Sequence, residues 1–163
     1  MHRSKKILFV SHCVLNQNSV VKPLARAKGA YRDIVSTIME NGIGVHQLPC
    51  PEFKQLGLNR EPMSKVQYST TEYRALCHIC AVETVEIIKH YKSEGYKIMG
   101  IIGIEQSPTC SISGEQGIFM EELFEELKTH GIELSTIDVP TIYQDKKDNN
   151  GFIKELEKMI IQY

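Results

Sequence analysis

The sequence is short of several things, and each shortage removes a class of function. It has no charge excess: 19 Lys and Arg stand against 20 Asp and Glu, a formal net charge of −1, with the basic residues scattered rather than striped. Neutralising a phosphate backbone needs a concentrated basic face, so nucleic acid is not an expected partner. Long apolar runs are also missing. The longest, residues 98–104, includes two glycines, and the basic start His2, Arg3, Lys5 and Lys6 is followed only by the apolar residues 7–10. Neither makes a membrane span or the apolar core of a signal peptide. The five cysteines are odd in number and lack the close spacings of a secreted scaffold. That pattern points to a reducing compartment, with the cytoplasm expected, where thiols stay free for metal or catalysis. No repeat, low-complexity tract or shift in composition divides the chain, so one domain is expected over residues 1–163.

What is present describes an ordinary globular chain: 163 residues, 42% hydrophobic and 24% charged. A chain of this length buries roughly 70% of its unfolded surface and needs no disulfide or structural metal to hold a core. A metal, if bound, would serve chemistry. Residues 5–11 form a brief apolar run rich in strand formers. Tyr31, Ile34, Val35, Ile38 and Met39 then fall at helical spacing within 29–41, where Asn41-Gly42 supplies a left-handed stop. Residues 43–48 read as a second strand, closed by Pro49 and Pro51. Residues 53–68 show no clear period and read as a long loop of the kind that forms lids. Ser69-Thr70-Thr71-Glu72 has the form of a capping box, opening a long helix whose apolar face runs from Tyr73 through Cys77, Cys80 and Ile88 to Tyr91. Residues 97–104 predict a buried strand, Met120 to Leu127 an amphipathic helix stopped by Gly131, and 133–139 a weaker fourth strand. A terminal helix holds Phe152, Leu156 and Met159, with Asn149 or Asn150 as its expected cap. Alternating strands and helices predict an α/β fold of three layers, a parallel four-stranded sheet of flavodoxin or Rossmann-like kind with order 2-1-3-4.

Ligands of such sheets bind beyond the carboxyl ends of the strands, beside the point where strand order reverses. Cys13 follows the first strand, Cys50 the second, and Cys110 lies in the loop after the third, so three thiols from distant positions are predicted at one sheet edge. Cys77 and Cys80 match the C-x-x-C pattern but lie two turns inside a helix on its apolar stripe, where core packing explains them. Thiolates converging from three loops suit zinc or an iron–sulfur cluster, and three ligands leave one metal position open to substrate.

Three motifs carry a resemblance: Val10-Ser11-His12-Cys13-Val14-Leu15, then Leu48-Pro49-Cys50-Pro51-Glu52 with Gly57-Leu58-Asn59-Arg60, then Ser107-Pro108-Thr109-Cys110. In this order they resemble the motifs of the thiouracil desulfidase-like family. The resemblance implies a [4Fe-4S] cluster held by Cys13, Cys50 and Cys110, with a fourth iron free to take the sulfur of a small thio-substituted substrate. It also implies acid–base roles for Glu52 and Ser107. The chain departs from the better-known branch after the first motif, running Leu15-Asn16-Gln17-Asn18-Ser19 where that branch has a glycine and a Cys-Arg-Tyr-Asp-Gly-like stretch. The resemblance therefore extends to ligation and not to a named substrate.

The residues support a coherent chemistry beside the resemblance. A metal corner with a preference for sulfur polarises a thiocarbonyl for attack by water, and Glu52, two residues past a candidate ligand, is placed to accept the proton. Ser11, Asn16 and Arg60 are candidates for holding a heterocycle or an acidic group, and His12 and His46 flank the site. The expected activity is non-redox removal of sulfur. Its alternative is a sulfide or persulfide carrier, or a sensor, using the same ligands without turnover. A cluster-free thiol enzyme with Cys13 as nucleophile would need a phosphate-cradling loop, and residues 13–20 contain no arginine, lysine or glycine.

Overall fold

The computed structural model describes residues 1–147 and 151–161. Four parallel strands form one sheet: β1 (Lys6–Val10), β2 (Gly44–Gln47), β3 (Lys97–Ile104) and β4 (Thr136–Val139), in the spatial order β2-β1-β3-β4. The expected α/β architecture and strand order are therefore those observed. The helices are α1 (His12–Leu15), α2 (Arg32–Glu40), α3 (Pro51–Leu56), α4 (Lys65–Tyr68), α5 (Thr71–Ser93), α6 (Ile118–Thr129) and α7 (Phe152–Ile161). The expected caps of the terminal helix, Asn149 and Asn150, lie outside the described residues. None of the described helices is long and apolar enough to cross a membrane.

Side chains alternate across the central strands, and each face gathers its own core. Phe9, Ile98 and Ile101 pack with Cys77, Cys80, Val85 and Ile88 of α5 and with Leu123 and Leu127 of α6. Leu8, Val10, Met99 and Ile102 pack with Ile34 and Ile38 of α2 and Leu156 of α7. Ile98 and Ile101 could not share a face under strict alternation. An irregularity places Gly100 opposite Leu8, with φ at +153°, and resets the phase. A Cβ at Gly100 would lie 2.6 Å from the Ser135 carbonyl oxygen.

The segment 53–68 is not one long loop. Pro51 takes the first turn of α3, where its missing N–H costs nothing, and the Cys50 sulfur accepts the Phe53 N–H at 3.4 Å as the cap. Ser64 and Gln67 form the reciprocal capping box that opens α4. The box expected at Ser69 to Glu72 does not form; Thr70 instead caps α5 through the Tyr73 N–H. Tyr68 closes the segment and is buried, which anchors residues expected to act as a lid.

Candidate functional site

At the carboxyl ends of β1, β2 and β3 lies a cavity of about 570 Å³, and Cys13, Cys50 and Cys110 all line it. Each thiol arrives by a different local device. Cys13 sits in the first turn after β1, where Gln17 Nε2 donates to its carbonyl at 2.8 Å. Cys50 caps α3 as described. Cys110 is held by a turn in which Ser107 Oγ accepts the Cys110 N–H at 2.9 Å and the Thr109 N–H at 3.3 Å. The Asp138 carboxylate of β4 fixes the far side of that turn, accepting from the Ile112 and Ser113 backbone. Two glycines permit the approach: a Cβ at Gly103 would lie 2.6 Å from the Cys110 carbonyl oxygen, and one at Gly117 2.6 Å from the Cys110 nitrogen.

The three thiols interact electrostatically in all three pairs. Burial, with Cys50 next in weight, pushes the Cys13 thiol up to about 12. Burial also raises Cys50, and raises Cys110 well above its ordinary value with Cys50 and Cys13 adding to it. All three are free cysteines, partly exposed because they open onto the cavity. A protonated, buried thiol is a poor nucleophile, which weighs against a thiol enzyme built on Cys13. Among the described residues, no group of three or more His, Cys, Asp or Glu side chains could hold a single metal ion.

Glu52 and Arg60 are buried at 8% exposure each and form an ion pair, Arg60 Nε donating to Glu52 Oε1 at 3.2 Å. Tyr68 donates its hydroxyl to the same oxygen at 3.0 Å. Arg60 also donates to the Gly57 carbonyl at 2.9 Å and the Ser19 carbonyl at 2.6 Å, tying the α3 segment to the turn after α1. Glu52 Oε2 makes no hydrogen bond, yet no buried side-chain oxygen among the described residues lacks a partner. That oxygen is therefore accessible, and Glu52 lines the cavity.

The remaining predicted residues divide. Ser107 lines the cavity. Ser11 is fully buried, its hydroxyl donating to the Ile102 carbonyl at 3.0 Å. Arg60 lines the cavity with its guanidinium committed to protein partners. Asn16 does not line it: its Oδ1 accepts from Asn18 N at 3.1 Å and caps a short 3-10 turn over Gln17–Ser19. His12 lines the cavity with Nδ1 3.2 Å from the Leu48 carbonyl, and burial lowers its pKa. His46 instead packs on Phe9, ring centroids 4.6 Å apart. Cys77 and Cys80 are buried in α5 within the apolar core. Sequence reasoning passed over Tyr68, Tyr31, Gln17, Arg26 and Glu105, all of which line the cavity. Tyr68 ends a segment without period, and the others lie outside the three cysteine motifs.

Over 158 residues the chain is 44% identical to uncharacterized protein MJ0003 of Methanocaldococcus jannaschii, covering 97% of this chain and 99% of that one. No family model and no solved structure matches it.

Proposed function

The chain belongs to one family with the Methanocaldococcus jannaschii protein, and we propose that it is a [4Fe-4S]-dependent desulfidase removing sulfur from a thio-substituted small molecule without net redox change. The observation that carries this reading is the meeting of Cys13, Cys50 and Cys110 on one cavity that Glu52 also lines. The donor set fits the group. Three soft sulfur donors brought by three loops to one cavity are the ligand type that iron–sulfur clusters take. When bound by three thiolates, such a cluster supplies one iron without a protein ligand, a soft Lewis acid for the substrate sulfur.

The chain's own residues supply the rest. Cys13, Cys50 and Cys110 lose their protons to become ligands, so loading releases acid. Glu52 Oε2 accepts a proton from the attacking water, while Arg60 and Tyr68 fix Oε1 and so aim the free oxygen. Ser107, whose Oγ accepts two backbone N–H groups, keeps its hydroxyl hydrogen free to donate a hydrogen bond, without transfer of the proton, to the oxygen forming on the substrate carbon. One water is consumed: its first proton, held by Glu52, leaves with the sulfide as HS⁻, its second is lost to solvent as the C–S bond breaks, and the C=S carbon becomes C=O. No oxidant or reductant is required.

The test is anaerobic incubation of the iron-loaded chain with a panel of thiocarbonyl compounds, following sulfide and the oxo product together. Equal release of both supports the desulfidase. Sulfide retained on the protein with no oxo product would overturn it in favour of a carrier or sensor.

A further inference from the structure

Arg26 and Glu105 line the same cavity as the three cysteines and take no part in the chemistry above. They are anchored on opposite edges of one peptide group. Arg26 Nη1 donates to the Pro140 carbonyl at 2.5 Å, and Glu105 Oε2 accepts the Thr141 N–H at 2.7 Å. The oxygen and nitrogen of a peptide group are at most about 2.6 Å apart by bond length, so the two anchored atoms lie within about 8 Å of each other. They nevertheless form no ion pair. The intervening peptide accepts one hydrogen bond from Arg26, donates one to Glu105 and keeps them apart.

Both groups have capacity left. Arg26 Nε and Nη2 and Glu105 Oε1 make no hydrogen bond with any of the described residues. The guanidinium is held over the Tyr31 ring, 5.8 Å from its centroid, and the Arg26 backbone N–H is fixed on Gln17 Oε1 at 2.9 Å. Beyond Glu105, Gln106 adopts a left-handed φ of +63°, a conformation that costs energy for a residue with a Cβ and is concentrated at functional sites. Gln106 and Thr141 line the cavity too.

A cation and an anion held short of contact on one wall complement a ligand carrying the opposite pair. A simple anion would meet Arg26 but be opposed by Glu105, and a simple cation the reverse. We propose that this wall binds the ammonium–carboxylate head group of an α-amino acid, Arg26 taking the carboxylate and Glu105 the ammonium. The substrate is then an α-amino acid whose side chain carries the thiocarbonyl, and a simple thiol amino acid serves as a probe of the head-group site alone. Delivery of the substrate's sulfur toward the cysteines rests on the desulfidase reading; the head-group site does not.

Calorimetric titration of the intact chain under anaerobic, reducing conditions tests this with three thiols on a common carbon frame: L-cysteine, 3-mercaptopropionate, which lacks the ammonium, and cysteamine, which lacks the carboxylate. L-Cysteine should bind at least about tenfold more tightly than either, the contribution of one charged hydrogen-bonded contact. Arg26→Gln should reduce L-cysteine to the affinity of cysteamine, and Glu105→Gln to that of 3-mercaptopropionate. The wild-type series decides the matter even if a variant fails to fold. Similar affinities for the three, or no binding of any, would overturn the head-group site. Iron content, measured on the same preparation, separates that failure from failure of the cluster.

Discussion

Glu52 combines a committed oxygen with an accessible one, which makes its two roles separable. Glutamine preserves the carbonyl oxygen that accepts from Arg60 and Tyr68 but removes the proton acceptor. Glu52→Gln should keep its iron and lose about 10²–10⁴ in sulfide release, the share of general acid–base catalysis. Full activity in that variant would remove Glu52 from the mechanism. Arg60 asks a different question, because its guanidinium ties three segments together and faces a buried carboxylate. Arg60→Met strands that charge and should cost about 3–5 kcal/mol in urea unfolding. A loss under about 1 kcal/mol, the range of an exposed pair, would contradict a buried one. Buried thiols contribute to the alkaline behaviour of the metal-free chain alongside buried tyrosines such as Tyr31, which burial likewise raises. Burial, then Cys80, pushes the Cys77 thiol from 9.0 to about 12, and Cys13 is raised to about 12 as well. A raised acid pKa gives stability that is present below the unfolded value and is lost as the folded value is approached. The urea midpoint should therefore fall between pH 9 and 12, and Cys77→Val should flatten that fall; an unchanged slope would show that Cys77 does not titrate on unfolding.

The turn carrying Cys110 is the element on which the site depends most. Gly117 precedes α6 with φ at −70°, an ordinary value, so its requirement is for space: a Cβ there would come 2.3 Å from the Thr109 carbonyl carbon. Backbone cannot yield as a flexible side chain does. Gly117→Ala should displace the Cys110 turn, costing about 1–3 kcal/mol by overpacking and lowering iron retention. α5 makes the opposite case. Alanine at Cys77 and Cys80 together should cost about 1–3 kcal/mol while leaving iron content intact, because both thiols are packed in the core face. Iron lost from a folded double variant would place them in the site. These two elements also differ in how far their sequence discloses them. Twenty-three residues at helical spacing make α5 plain, whereas α3 and α4 are too short for a period to develop. Only their caps mark them, Cys50 with Pro51 and Ser64 with Gln67, and a sulfur cap has no strong sequence signature.

Across the whole molecule, alternation and the crossover rule leave few topologies, and the favoured order, 2-1-3-4, is the one observed and places Cys13, Cys50 and Cys110 at one end of the sheet. Adjacent sheet position was enough to bring them to one cavity, since each lies within a few residues of its strand. Asn16 had the same proximity in sequence but turns away into a cap. Glu105 directly follows β3 and lies within reach of the same rule, whereas Arg26 and Tyr68 enter through tertiary contacts, and no local pattern announces a residue fixed by the Pro140–Thr141 peptide or by Glu52. The central claim is that three thiols hold one cluster with an open iron. Its most direct test is Mössbauer spectroscopy of the anaerobically ⁵⁷Fe-reconstituted chain, with iron and acid-labile sulfide assayed on the wild type and on single serine variants of Cys13, Cys50 and Cys110. The account predicts a [4Fe-4S] spectrum with one distinguishable iron, lost in each of the three variants. A cluster that assembles undiminished when any one of these cysteines is replaced would contradict it.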